Sequence, residues 1–251
     1  MLTRDQNHRE SRCRLSQKLA SVMDLSLAMK SGKRTPGFVV FEGLDGSGKS
    51  TQIKMLQRRY PGQFWAAHQP SSGLESIPGM QLALPQYDSE DEWKALKREL
   101  SFTDPLTLWA LHLAAHAESY KLFKPHFQQE SQVLWDRFWW SAYAYNFCAG
   151  ELSQKISSRS FLSLELAATK GFQPELILFF VGTFGESQQS GQYQSPYDHA
   201  LSAAYGDLTK AAIQAHPESM YEITITDRTA NEIHSDVVTA LSHASSWRLK
   251  W

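Results

Sequence analysis

Short apolar runs alternate along the chain with longer stretches of helical spacing. Gly37 to Phe41, Phe64 to Ala67, Val133 to Trp135, Leu176 to Val181 and Tyr221 to Ile225 are all of strand length. Continuous apolar runs of this size suit strands buried on both faces. Between them the pattern predicts helices over Ser50 to Arg58, Ser141 to Cys148, Phe161 to Thr169, Asp198 to Ile213 and Ala230 to Leu241. A further helix is expected from Asp104-Pro105 through Leu106, Trp109, Leu113 and Ala117 toward Lys124-Pro125. Asp104 suits its N-cap and Pro105 its first turn. Strands that alternate with helices predict an α/β fold whose parallel sheet is flanked by helices on both faces. Gly185 to Pro196, rich in Gln, Ser and Gly, reads as a mobile loop, and Asp88 to Asp91 as an exposed acidic surface or a helix start.

Composition narrows the classes. The chain has 251 residues, 42% of them hydrophobic, which is enough for one large α/β domain. A formal net charge of -1 gives no global basic field. That argues against a protein that coats DNA or an acidic membrane, and leaves a local basic cleft open. Cys13 and Cys148 are the two cysteines. They are expected as free thiols in a reducing, cytoplasmic setting. No apolar run reaches the roughly 18 residues that a membrane span needs. Residues 1–36 carry Arg4, Arg9, Arg12, Arg14, Lys18, Lys30, Lys33 and Arg34 against Asp5, Glu10 and Asp24. They are expected as a basic, disordered extension ahead of a single domain over residues 37–251. A mitochondrial transit peptide is the alternative, although the acids speak against it.

The chemistry concentrates after the first strand. Phe38-Val39-Val40-Phe41 leads into Gly43-Leu44-Asp45-Gly46-Ser47-Gly48-Lys49-Ser50-Thr51, which satisfies G-x-x-x-x-G-K-[ST]. Glycines let the backbone curl so that successive N–H groups face one anion. The helix that follows adds the positive end of its dipole. Gly43 to Thr51 are therefore expected to hold the phosphates of ATP. Lys49 is expected to reach the β- and γ-phosphates, and the Ser50 hydroxyl to bind Mg2+.

The segment Phe41-Glu42-Gly43-Leu44-Asp45-Gly46-Ser47-Gly48-Lys49-Ser50-Thr51-Gln52 resembles the opening of the thymidylate kinase family. Asp136-Arg137-Phe138, followed by Ser141, Ala144 and Tyr145, has the spacing of that family's DR[YFH]-x-x-S-x-x-A-[YF] segment. Gln173-Pro174-Glu175-Leu176 is similar to its P-[DE]-L entry to the fourth strand. The resemblance runs from about Gly37 to Leu241. It implies a P-loop NTPase-type sheet of five parallel strands, transfer of the γ-phosphoryl of ATP to dTMP with Mg2+, and a homodimer. By position, Asp45 resembles the carboxylate near the acceptor sugar and the magnesium shell. Arg137 resembles the arginine on the acceptor phosphate, and Asp136 the acid beside the metal. Ser141 and Tyr145 resemble residues that line the acceptor pocket. Lys49, Asp45 and Arg137 form the expected catalytic set.

The chain also departs from the family. Its Arg-Glu-Pro type segment is matched by His68-Gln69-Pro70, so Gln69 and Pro70 are expected near the acceptor. A stacking Phe and an Arg four residues on are matched by His112 and His116, with Trp109 one turn earlier. These three are read as acceptor contacts; a packed helix face and, for the two histidines, a metal pair stay open. Arg228, in Thr226-Asp227-Arg228-Thr229, falls where the family's adenine loop begins. It either lies against adenine or is solvated. No Lys or Arg stands between Lys170 and Lys210, where family members can carry a catalytic lid arginine. Lys155, Arg159 and Lys210 are candidates by location. Three functions remain in view: a dTMP kinase, or a kinase for a 5-substituted dUMP; a kinase acting on a modified base in DNA; and a nucleotide-binding regulatory protein.

Overall fold

The computed structural model describes residues 34–68, 99–100, 102–128, 132–182 and 196–244. Residues 1–33, Gln69, Pro70, Asp88 to Asp91 and most of Gly185 to Pro196 lie outside the described residues. Five strands form one sheet: β1 (Arg34–Gly43), β2 (Phe64–His68), β3 (Gln132–Asp136), β4 (Gln173–Val181) and β5 (Met220–Thr224). Their order is β2-β3-β1-β4-β5, and every pairing is parallel. The helices are α1 (Lys49–Arg59), α2 (Pro105–Gln128), α3 (Trp139–Ala142), α4 (Ser158–Ala168), α5 (Pro196–Ala215) and α6 (Ala230–His243). A π-helix over Tyr143–Ala149 and a 3₁₀ turn over Leu152–Gln154 separate α3 from α4.

Alternation along β1 explains the two layers. Phe38 and Val40 pack on one face with Trp135, Phe138, Trp139, Tyr143 and Tyr205. Val39 and Phe41 pack on the other with Ile53, Leu56, Leu178, Ile233 and Val237. Both faces are thus covered, as continuous apolar strands require. Glu42 falls in line with Phe38 and Val40 and is fully buried. The chain leaves β1 toward β2 on one side and later leaves β3 toward β4 on the other. Crevices at the carboxyl ends of strands form where such a switch occurs, so the loops after Gly43 and Asp136 share one crevice.

Element boundaries moved in places. β1 starts at Arg34, three residues before the expected domain edge: Arg34 pairs with Gln173 and Thr35 with Pro174, ahead of a register shift before Val39. Gly37 takes φ 73 there, and its N–H donates to Glu175 Oε2 at 2.8 Å. The polar Arg-Thr-Pro start of the strand carries no apolar signal. The Asp104 cap is present, since its Oδ1 accepts from Thr107 N at 3.2 Å. The helix continues through Pro125 to Gln128. The helix expected from Ser141 instead begins at Trp139 and widens into the π-turns. No helix among the described residues is long and apolar enough to cross a membrane.

Candidate active site

The loop after β1 is held open by glycine geometry. Gly43 has φ 149, and a Cβ there would sit 2.8 Å from the Phe180 carbonyl oxygen. Gly48, at the N-cap of α1, takes φ 85, a region that costs other residues about 1–2 kcal/mol. Lys49, the residue after Gly48, folds its side chain back into the loop. Its Nζ donates to Gly43 O at 3.1 Å, Leu44 O at 2.7 Å and Ser47 Oγ at 3.1 Å. The side chain is buried. Burial first, and then the charge of Arg137, lower the Lys49 amine to about 7, against the pull of Asp136, Asp45 and Glu42.

The second loop brings Arg137 to the same place. Phe41 pairs with Asp136, so the residue after β3 lies beside the start of the glycine loop. Arg137 adopts φ 71. A non-glycine residue in that region persists only where its surroundings over-determine it, and such strain gathers at functional sites. Here the fixing contacts are numerous. Arg137 N donates to Phe41 O at 2.9 Å. Its Nη1 donates to Gly43 O and Ser141 Oγ, each at 3.0 Å. Its Nη2 pairs with Asp45. The Tyr145 ring lies under the guanidinium at 5.3 Å. Among the described residues these bonds use three of the five guanidinium donors, which leaves two for an anion.

Glu42 underlies both loops. Its Oε1 accepts from Phe138 N at 2.8 Å and Ser141 N at 3.3 Å. Its Oε2 lies 2.6 Å from Ser141 Oγ and 2.9 Å from Tyr205 Oη, and those two hydroxyls are 2.6 Å apart. Burial pushes the Glu42 carboxyl up, over the opposing hydrogen bond from Ser141 and the charge of Arg137.

Ser50 Oγ donates to Asp136 Oδ2 at 2.5 Å at the mouth of the loop. Hydroxyl and carboxylate oxygens side by side fit Mg2+, which keeps waters and phosphate oxygens for its remaining positions. No group of three or more His, Cys, Asp or Glu suited to a metal occurs among the described residues.

Part of the expected acceptor pocket has partners within the fold. Trp109 Nε1 donates to Glu165 Oε1 at 3.0 Å, and His116 Nδ1 lies 2.6 Å from Glu165 Oε2. Trp109 also stacks on Phe161. All three side chains are buried, so Trp109 and His116 brace α2 against α4. His112 is half-buried, with Nδ1 2.8 Å from Asn146 Nδ2. Asn146, directly after Tyr145, was given no role by sequence reasoning. Arg228 is tied to α6 and β5 through Asp236, the Glu232 carbonyl and the Thr224 carbonyl. Of the proposed extra cations, Lys155, Arg159 and Lys210 are all exposed. Lys210 lies five residues past Tyr205, about 7.5 Å further along α5 and away from the crevice.

Comparison with known proteins agrees with this geometry. No protein-family model matches the chain. The thymidylate kinase of Mycoplasma genitalium is 32% identical over 156 residues, which cover 62% of this chain and 68% of that protein. The thymidylate kinase of Neorickettsia sennetsu is 29% identical over 152 residues, 58% of this chain and 66% of the relative, just under two thirds of its length. That of Burkholderia cenocepacia is 26% identical over 209 residues, 80% of this chain and 92% of its own. Among solved structures, the thymidylate kinase of Ehrlichia chaffeensis superimposes with a TM-score of 0.55 at 20% identity, covering 82% of this chain and 97% of that one, and so shares the fold. With the glycine loop, the Asp136-Arg137 corner and the five-stranded order in place, the chain belongs to the thymidylate kinase family.

Proposed function

We propose that the protein transfers the γ-phosphoryl group of ATP to the 5′-phosphate of dTMP, giving ADP and dTDP. The observation that carries this reading is the pairing of two cations over one crevice. Lys49 lies inside the glycine loop, and Arg137 is held against the same loop through Gly43 O with donors to spare. Phosphoryl transfer asks mainly for charge neutralisation and in-line placement, so two adjacent phosphate sites are the main requirement. Lys49 exchanges its bonds to Gly43, Leu44 and Ser47 for donor phosphate oxygens. Arg137 turns its remaining N–H groups to the acceptor phosphate. Asp45 fixes the guanidinium plane beside the acceptor sugar, and Tyr145 backs it. Ser50 and Asp136 would hold Mg2+, which when bound neutralises charge on the β- and γ-phosphate oxygens. Arg228 and the start of α6 would border adenine. A coupled assay of ADP release over a panel of nucleoside monophosphates tests the reading. Turnover that depends on dTMP is expected, and absence of acceptor-dependent turnover across the panel contradicts it.

The lowered Lys49 amine gives a pH prediction. Without ATP, Lys49 is largely neutral above pH 7. A bound triphosphate stabilises the ammonium form and raises its pKa. ATP affinity is therefore full below pH 7 and falls as pH climbs toward the bound-state value, by about tenfold per unit. Calorimetry at pH 8 in buffers of different ionisation heat should show uptake of about one proton per ATP. Binding heats independent of buffer contradict this.

A further inference from the structure

We propose that Tyr205, on α5, is a positioning residue for the acceptor arginine. It acts with Glu42 as a clasp on the loop that carries Arg137. This rests on the reading of Arg137 given above. Tyr205 touches two of the groups that hold the guanidinium, Ser141 and Tyr145. Its hydroxyl lies 2.6 Å from Ser141 Oγ, the oxygen that accepts from Arg137 Nη1. Its ring meets the Tyr145 ring edge-on at 6.2 Å and 84°, and Tyr145 lies under Arg137. The same hydroxyl reaches Glu42, whose other oxygen gathers the N–H groups of Phe138 and Ser141. Those residues follow Arg137 and keep its backbone at positive φ.

The place of Tyr205 in the chain adds a consequence. α5 packs against the π-helix that carries Tyr145, and Tyr205, like Thr209, is a polar residue in a stripe with buried Leu201, Ala204, Leu208 and Ala212. A stripe of that kind needs no hydroxyl for packing. A buried hydroxyl is stabilised by a hydrogen bond, and its partners here are Ser141, which bonds the acceptor arginine, and Glu42, which gathers the backbone that follows it. Placement of Arg137 thus depends on the seating of α5.

The Tyr205→Phe variant removes the hydroxyl and keeps the ring. The KM for dTMP is expected to rise about tenfold, the effect of one buried hydrogen bond to a charged network, with the KM for ATP unchanged. Ser141→Ala should shift the same constant, and the double variant should fall short of the product of the two single effects. A readout free of substrate separates this claim from the identity of the acceptor. In Tyr205→Phe, the amides of Phe138 and Ser141 should exchange with solvent about tenfold faster while those of Val39 and Val40 stay protected. Wild-type protection at Phe138 and Ser141, or loss spread evenly over the sheet, overturns the proposal. Equal changes in the two KM values overturn it as well. Failure of the wild-type protein to use dTMP would instead strike the assigned reaction.

Discussion

Lys49→Ala is expected to lower kcat by about 10³-fold, with a smaller loss of ATP affinity. The magnitude follows from removing a charged donor aimed at the transferred phosphoryl group in a site that excludes water, where one preorganised donor is worth about 10² to 10³ and a cation more. Lys49 has a second role that the variant also removes, because its three bonds tie Gly43, Leu44 and Ser47 together. Some loosening of the empty loop is therefore expected, and single-turnover transfer should be measured at saturating ATP to isolate the chemical step. A kcat within threefold of wild type would mean that Lys49 does not meet the transferred group.

Arg137→Ala is expected to cost about 10³-fold in kcat/KM for the acceptor, the scale reported by cations that neutralise a transferring phosphate. The loss should be spread between KM and kcat, since an acceptor phosphate that is loosely held is also poorly aligned. Arg137→Lys should recover little. Its ammonium lacks the planar fork that bonds Gly43 O, Ser141 Oγ and Asp45 while still offering two N–H groups. Full activity in Arg137→Lys would show that charge alone suffices at this position.

The sheet and the glycine loop were legible in the sequence because each rests on local signals. Five apolar runs gave five strands, and Gly43, Gly48, Lys49 and Ser50 follow a spacing set by backbone geometry. The Asp136-Arg137 corner was legible through its likeness to the family's DR segment. What escaped depends on contacts distant in the chain. Trp109 and His116 have helical spacing that suits either a pocket wall or a core. Only the fold shows that Glu165, on another helix, takes both polar atoms. The π-turns that carry Tyr145 and Asn146 have the same residue pattern as an α-helix. The positive φ of Arg137 has no signature in its residue type. Glu42 had a signal that went unread, for it follows Phe38 and Val40 in strict alternation and so places a carboxyl on an apolar face. Tyr205 was given no role by sequence reasoning, and its partners stand 64 and 163 residues away.

A complex with adenosine and thymidine joined 5′ to 5′ through a chain of phosphates provides the most direct measurement. In its crystal structure Lys49 Nζ should leave Gly43, Leu44 and Ser47 for the donor-side phosphates. The free N–H groups of Arg137 should close on the phosphate next to thymidine, with Asp136 and Ser50 on the metal side. An analogue bound away from the crevice, or a thymidine-side phosphate held by another cation while Arg137 keeps only Asp45, Ser141 and Gly43, would contradict the two-cation site.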